Sequence, residues 1–248
     1  MQYVIFTSWL PYAYASPVHR WLCDHGILHR DLSPNNSMCR MIMGKVHGVL
    51  TDYDLASWVS PLTPDYTKTS QQRTGTPPFM AQGLLDGTDP VHLYRHDVES
   101  LFYIMLILAT HYEIQAPEGT EDGGVRVRDG DLQFQLWFGM LDYRTLGEKK
   151  SDFFTKLKEF EVSLSFKGFD GWLQKLQRVI GLGFKAKSDY RFLEVGGSCD
   201  EDAPPPLDEE TLGGHITYSA LIRPVRALTG ELEGLAIRYD PASRVVVP

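Results

Sequence analysis

The sequence is poor in cysteine and in basic residues, and both shortages exclude classes of protein. Cys23, Cys39 and Cys199 are widely spaced and form no C-x-x-C pair, so neither a disulfide framework nor a zinc site is expected. Lys and Arg number 24 against 32 Asp and Glu, a formal net charge of −8. Because surfaces that bind nucleic acid or anionic lipid are basic, we expect neither partner.

Long apolar runs are also missing, and no leader is expected. The most apolar run, Leu101–Ala109, is far shorter than the roughly 20 residues that span a bilayer. No basic residue precedes the apolar start "MQYVIFTSWL", which argues against a signal peptide. We therefore expect an intracellular protein, cytoplasmic or nuclear, with no membrane partner.

The patterns that are present predict a mainly α protein with one short β-hairpin. Residues 18–25 predict a helix closed by Gly26. "SMCRMIM" and "VHGVLTDYD" predict two strands that turn around Gly44 and Lys45. The sequence from Asp97 to Tyr112 is apolar on nearly all sides and predicts a buried central helix. Further helices are predicted at 153–160, 172–180 and 217–228.

Three segments read as irregular. Residues 56–78 predict a long loop, and 117–131 predict a polar, glycine-rich surface excursion, so no second strand-rich region is expected. Residues 198–214 combine six acids with three consecutive prolines, the composition of a solvated loop or linker.

Three side chains near the predicted hairpin carry oxygen ligands. Asp31 is the first and Asn36 the last residue of the run "DLSPNN", and Asp52 follows the second predicted strand. Phosphoryl transfer needs an acceptor for the attacking hydroxyl's proton and oxygen ligands for magnesium. These residues would supply both if they met in one cleft; the alternative for each of them alone is a turn or capping role.

The motifs around these residues resemble those of eukaryotic protein kinases. "HRDLSPNN" at 29–36 is similar to the catalytic loop H-R-D-L-x-x-x-N. "TDYDLA" (51–56), "GTPPFMA" (75–81) and "RHDVES" (95–100) follow in the order of the kinase D-F-G, the end of the activation segment and the start of the central helix. "DYDLA", "RTGTPPFMA" and "RHDVESLFYIML" resemble, more narrowly, the fungal-type protein kinase family, over about residues 18–112.

This resemblance implies a transferase that uses ATP and Mg²⁺ to phosphorylate protein serine or threonine. Asp31 would be the catalytic base and would bond to Thr76. Asn36 and Asp52 would bind the magnesium and thereby the nucleotide. Arg30 would face a phosphate on the activation loop. The candidate phosphorylation sites on that loop are Thr67, Thr69, Ser70 and Thr74.

The resemblance also implies a fold and its divisions. We expect a mainly α, protein kinase-like C-terminal lobe with a short β-hairpin beside the catalytic loop. Residues 1–193 would form this lobe, 194–214 the acidic proline-rich loop or linker, and 215–248 a helix and tail of the same lobe. Asp97 would brace the backbone of the catalytic loop as well as cap its helix. His29 would pack structurally.

The sequence departs from the kinase pattern in ways that concern activity. Ser33 stands where a lysine is usual, and Asp54 replaces the glycine of D-F-G. Gln82-Gly83 replaces the Pro-Glu of the A-P-E motif. The buried ion pair that kinases form with this glutamate therefore cannot form here. Only 28 residues precede His29, and no G-x-G-x-x-G occurs anywhere.

We therefore expect a fragment or a shortened kinase relative that alone transfers phosphate weakly or not at all. The alternative is a catalytically inactive pseudokinase or interaction module. A small-molecule kinase of the aminoglycoside type is a third option, against which "GTPPFMA" and "RHDVES" speak. A partner or the missing lobe would cover the exposed cleft face near residues 4–14.

Overall fold

The computed structural model describes residues 18–42, 45–58, 75–89, 91–115, 124–139, 142–196 and 205–221. Helices dominate these residues, and their strands are short and paired in twos. The predicted mainly α class is therefore confirmed. No helix within these ranges has both the length and the apolar character needed to cross a membrane.

The first half of the chain holds one short helix and most of the strands. Helix α1 covers residues 18–24, and Gly26 follows it at a φ of 76°. A 3-10 helix, Pro34–Asn36, lies between the first two strands. The strands are β1 (Ile27–Leu28), β2 (Ser37–Ile42), β3 (Lys45–Leu50) and β4 (Ser57–Trp58).

The rest of the described chain is largely helical. Its helices are α2 (Gln82–Leu85), α3 (Tyr94–His111), α4 (Tyr143–Thr155), α5 (Asp170–Gly196) and α6 (residues 218–221). Three 3-10 helices lie at Pro77–Phe79, Gln135–Phe138 and Leu164–Phe169. Strands β5 (Tyr112–Gln115) and β6 (Gly124–Val127) follow α3.

The hairpin predicted beside the catalytic-loop motif is confirmed. Strands β2 and β3 are antiparallel, with Ser37 opposite Leu50 and Ile42 opposite Lys45. Lys45 is the first residue of β3 instead of part of the turn. A second antiparallel pair joins β1 to β4, with Ile27 opposite Trp58.

Helix α3 is the centre of the core. Every residue from Arg95 to His111 is buried, as its all-round apolar sequence predicted. Phe102 and Tyr103 pack against the rings of Phe153 and Phe154 from α4 and of Trp137. Each such side chain contributes on the order of 1.5–3 kcal/mol through burial.

Three local predictions were wrong. Asp97 is not the N-cap of α3; Leu93 is, and Asp97 lies in the first turn. The helix placed at 153–160 ends at Thr155, before Leu157 at a φ of 45°. No second strand-rich region was expected, but "YEIQ" at 112–115 and "GVRV" at 124–127 pair through their backbones as β5 and β6.

Residues 205–221 pack against the helical core. Leu212 and Ile216 are buried, and the indole Nε1 of Trp172 donates to the Leu221 carbonyl at 3.0 Å. A Cβ on Gly183 would lie 3.3 Å from Leu212 Cβ, so a side chain at this position would displace the segment by a few tenths of an ångström. The described part of the predicted 194–214 linker is thus attached to α5. Of the helix predicted at 217–228, residues 218–221 are helical and the remainder lies outside the described residues.

Candidate active site around the HRDLSPNN loop

The loop at 29–36 is attached to the core through Asp97. The backbone N–H groups of His29 and Arg30 donate to the Asp97 carboxylate at 3.0 Å and 3.2 Å. Arg30 has a φ of 70°, in the left-handed region, where a residue with a side chain is strained. Asp97 is fully buried, so the predicted bracing of the loop by this residue is confirmed.

Two histidines complete the environment of Asp97. His19 Nε2 of α1 donates to Oδ2 at 2.8 Å, and His92 Nε2 donates to Oδ1 at 2.7 Å. Burial alone would raise the pKa of Asp97, but the field of His92 and the hydrogen bonds from both rings hold this pKa well below its usual value. The buried group is therefore a carboxylate at neutral pH. Both histidines were missed by the sequence analysis.

The structure brings Asp31, Asn36 and Thr76 together. The N–H and Oγ1 of Thr76 both donate to Asp31 Oδ1, at 2.9 Å and 3.0 Å. Asn36 Nδ2 donates to the backbone oxygen of Asp31 at 2.9 Å and to its Oδ2 at 3.1 Å. Oδ1 therefore accepts two hydrogen bonds and Oδ2 accepts one, which leaves a lone pair free on Oδ2. Asp31 is only partly buried, so an incoming hydroxyl has access to Oδ2.

A glycine allows Thr76 to reach Asp31. Gly75 has a φ of 123°, and a Cβ on it would lie 3.4 Å from the Arg30 carbonyl. A side chain here would be strained and would crowd the loop. Gly75 therefore permits the close contact between the two segments.

Asn36 and Asp52 have the chemistry of magnesium ligands. The amide nitrogen of Asn36 is used by Asp31, which leaves the Oδ1 oxygen for a cation. The Thr51 N–H donates to the Asn36 carbonyl at 3.0 Å. Asp52 is the next residue after Thr51, so its backbone lies close to that of Asn36. Asp52 is exposed, has a φ of 61°, and has no hydrogen-bond partner among the described residues. Amide and carboxylate oxygens suit a hard cation.

The described ranges contain no cluster of three or more His, Cys, Asp and Glu residues able to hold a metal ion. A cation between Asn36 and Asp52 would have one amide oxygen and one carboxylate as its protein ligands. That donor set fits magnesium, which keeps several waters, better than zinc.

Arg30 and His29 point into the protein. Arg30 is buried, burial lowers its pKa, and its Nε has no hydrogen-bond partner in the described chain. The four candidate phosphorylation sites that would face it lie outside the described residues. His29 is fully buried; its Nε2 donates to the Thr51 carbonyl at 2.9 Å, and burial lowers its pKa.

Lys150 and Glu99, two further residues that the sequence analysis missed, hold the segment after Thr76. Lys150 Nζ of α4 donates to the carbonyls of Pro78 and Met80 at 2.9 Å and 2.6 Å, and Glu99 Oε1 accepts from the Gln82 N–H at 2.8 Å. Burial lowers the pKa of Lys150 and raises that of Glu99. The helical period offered one signal, since Lys150 shares the apolar face of Leu146, Phe153 and Phe154.

Acidification should destabilise the protein from about pH 6.5 downward through His96. Leu93 N–H donates to its Nδ1 at 2.9 Å, and its Nε2 lies 3.1 Å from Asp89 Oδ2 and 2.7 Å from the Arg95 guanidinium Nη1. Burial lowers the pKa of His96 to about 3. Between that value and the unfolded pKa near 6.5 the unfolded chain binds the extra proton. The unfolding free energy should therefore fall by on the order of 2 kcal/mol between pH 7 and pH 5.

Urea unfolding at the two pH values measures this effect. A free energy of unfolding that stays constant, or that rises towards pH 5, would contradict a neutral buried His96.

Comparison with protein families gives a match. Residues 15–109 match the family model described as fungal protein kinase, a segment that includes the loop, Asp52, Thr76 and Asp97. No curated protein matches the chain. Protein kinases in general use ATP and Mg²⁺ and act on protein substrates. Over residues 15–109 the chain is therefore similar to the fungal protein kinase family.

Proposed function

We propose that the chain is a protein kinase of the fungal type, which transfers the γ-phosphate of ATP to a serine or threonine hydroxyl of a protein. One observation carries this proposal: the Asp31 carboxylate is oriented by Thr76 and Asn36 on a loop that Asp97 holds. The match to the fungal protein kinase family over the same residues supports it.

Asp31 acts as the base in this proposal. Thr76 bonds to Oδ1 and Asn36 bonds to Oδ2, so the carboxylate is fixed before a substrate arrives. The substrate hydroxyl donates to the free lone pair of Asp31 Oδ2 and gives up its proton as its oxygen attacks the γ-phosphorus of ATP. The bond from that phosphorus to the bridging oxygen breaks, and ADP leaves. A positioned base contributes typically 10²–10⁴-fold to such a step.

The nucleotide and metal roles fall to Asn36 and Asp52. Asn36 Oδ1 and the Asp52 carboxylate would hold Mg²⁺, which when bound would neutralise charge on the phosphate oxygens. Arg30 is buried beneath the loop and its Nε has no partner among the described residues; its guanidinium is the charge that would pair with a phosphate on the activation segment. The positive φ of Asp52 is strained for a residue with a side chain, as is common at functional sites.

We also propose that the helices form a kinase-like C-terminal lobe. The central position of α3, the contact of its first turn with the loop through Asp97, and the hairpin directly after Asn36 support it. The lobe would comprise residues 1–193, with 194–214 as a loop and 215–248 as its last helix and tail.

A second candidate is a pseudokinase that binds a partner without transferring phosphate. The sequence favours it in one respect, because it carries Ser33 where a lysine is usual. Ser33 is also buried. Fewer groups than usual would then position the phosphates, and positioning supplies much of the catalysis.

Binding of magnesium-ATP, measured by calorimetry, tests the proposal. The chain should bind ATP in the presence of Mg²⁺ and much more weakly with EDTA. Asp52→Asn should weaken the magnesium-dependent binding by roughly tenfold or more, because a charged ligand is lost. Asp54→Asn, which removes an exposed carboxylate two residues further on, should bind nearly as the parent does.

Transfer of radiolabelled phosphate to a general protein substrate separates the two candidates. Binding without transfer would favour the pseudokinase. Failure to bind magnesium-ATP, or an equal loss in both variants, would contradict the proposed metal site.

A further inference from the structure

A carboxylate occupies the space where Gly83 lacks a side chain. In α2, a Cβ built on Gly83 would lie 2.6 Å from Cγ of Asp89 and would overlap its Oδ2. The Asp89 N–H donates to the Gly83 carbonyl at 3.0 Å, which fixes this approach. Position 83 is where the kinase pattern places the glutamate of A-P-E. The carboxylate missing from that position is thus supplied by a residue six positions later.

The Asp89 carboxylate is paired with two buried cations. Arg95 Nη2 lies 2.9 Å from Oδ2, and Lys187 Nζ of α5 donates to Oδ1. All three side chains are nearly fully buried. Burial would raise the pKa of Asp89, but the hydrogen bond from His96 and the charge of Arg95 hold it far below its usual value. The aspartate is therefore a permanent anion between two cations.

The same ion group reaches the C-terminal segment. Arg95 Nε donates to the Glu209 carbonyl at 2.6 Å, and the Glu209 carboxylate lies 3.5 Å from Arg95 and 3.7 Å from Lys187. Glu209 is about half exposed, so water screens its charge. Asp89 is the member of the group that is both buried and in contact with α2.

A short hydrogen-bonded path leads from Asp89 to the candidate active site. Asp89 contacts Gly83 in α2, and the first turn of α2 bonds back to Ala81 through the N–H groups of Leu84 and Leu85. The Met80 N–H donates to the Thr76 carbonyl at 3.0 Å. Residues 76–85 therefore form a compact unit, with Thr76 at one end and the Asp89 ion group at the other.

We propose that Asp89 is a positioning residue for residues 75–85, replacing the carboxylate that position 83 lacks. Its ion pairs with Arg95 and Lys187 attach α2 to α3 and α5, and thereby keep Thr76 against Asp31. The importance of Thr76 for transfer rests on the proposed function; the attachment of the segment does not. Removing one partner from a buried ion group leaves an uncompensated charge, so loss of the Asp89 carboxylate should destabilise this part of the protein.

A carboxylate swap tests this proposal by amide hydrogen exchange on the full chain, without nucleotide. Asp89→Ala should speed exchange in residues 76–85 at least about tenfold, because it leaves two buried cations unpaired. Gly83→Asp should do the same, because two carboxylates would compete for one space. The double variant, Gly83→Asp with Asp89→Ala, should recover most of the protection, because one carboxylate again faces both cations.

Glu209→Gln is the matched control. It removes the half-exposed carboxylate from the same two cations and should leave exchange in the segment unchanged. Equal loosening by this variant would overturn the proposal, because the net charge of the group would then matter more than the position of Asp89.

Two further outcomes would overturn the proposal. One is unchanged exchange of residues 76–85 in Asp89→Ala. The other is a double variant no better protected than the worse single variant. If Asp89→Ala does not fold, Asp89→Asn keeps the side-chain shape without the charge, and the double variant then decides. An inactive parent chain would count against the proposed function alone, since exchange requires no catalysis.

Discussion

Replacing Asp31 with asparagine should reduce phosphate transfer by about 10²–10⁴-fold, the contribution of a positioned base. The amide oxygen can still accept both hydrogen bonds from Thr76, so the segment after Gly75 stays in place. The amide nitrogen cannot accept a proton, and it faces the Nδ2 of Asn36, which now donates to Oδ2. Stability should fall by only about 1 kcal/mol, the net value of one hydrogen bond.

Single-turnover transfer, with thermal unfolding of the same preparations, measures both effects. Asp24→Asn is the control, because Asp24 is an exposed carboxylate of α1 whose ion partner is Arg20 of the same helix. This variant should transfer phosphate as the parent does. Equal transfer by Asp31→Asn and the parent would refute Asp31 as the base and leave the metal ligands untouched.

The parts of the site that the sequence predicted are those encoded within a few residues. Asp31 and Asn36 are five positions apart in one loop, so their contact is local. The hairpin after them is read from two short β-prone runs, and α3 from an apolar run that no exposed helix would tolerate. These features need little knowledge of the tertiary structure.

The parts that the sequence could not predict depend on distant contacts. Asp97 meets His29 across 68 positions and His19 across 78, and Lys187 meets Asp89 across 98. A single histidine or lysine carries no sign of such a partner. The loss of the A-P-E glutamate predicted the loss of an ion pair, yet the structure places another carboxylate in the same space. A carboxylate thus occupies the space beside position 83, although it belongs to a different residue of the sequence.

The two buried aspartates near the start of α3 hold different segments. Asp97 accepts hydrogen bonds from the backbone of the loop that carries Asp31. Asp89 instead contacts α2, the helix that follows the segment of Thr76. The contact between Asp31 and Thr76 is therefore fixed from both sides by charges anchored on one central helix. A change at either aspartate should reach the candidate active site without touching it.

Replacing Asp97 with asparagine should cost about 3–5 kcal/mol of unfolding free energy, the usual loss when a buried, paired charge is removed. The carboxylate accepts from two ring nitrogens and two backbone N–H groups. An amide offers one oxygen, and its nitrogen would face donors. Arg30, at its strained φ of 70°, would lose the contact that compensates the strain, so the loop should relax.

Urea unfolding measures the cost, and exchange of the His29 and Arg30 amides measures the loosening of the loop. Asp142→Asn is the control: its carboxylate is exposed and caps α4 through the Thr145 N–H, and asparagine caps helices almost as well. The difference between Asp97→Asn and the parent should narrow once the pH falls below about 3.9. Because the pKa of Asp97 is depressed by folding, its contribution is complete above that value and declines only below it.

A small loss in Asp97→Asn, with unchanged exchange at His29 and Arg30, would mean that the loop is held by its own sequence. The contact of the HRDLSPNN loop with Asp97 of α3 would then not be what fixes the conformation of the loop. A large loss of unfolding free energy, with faster exchange confined to the loop, would instead show that Asp97 fixes the geometry of the loop by attaching it to α3.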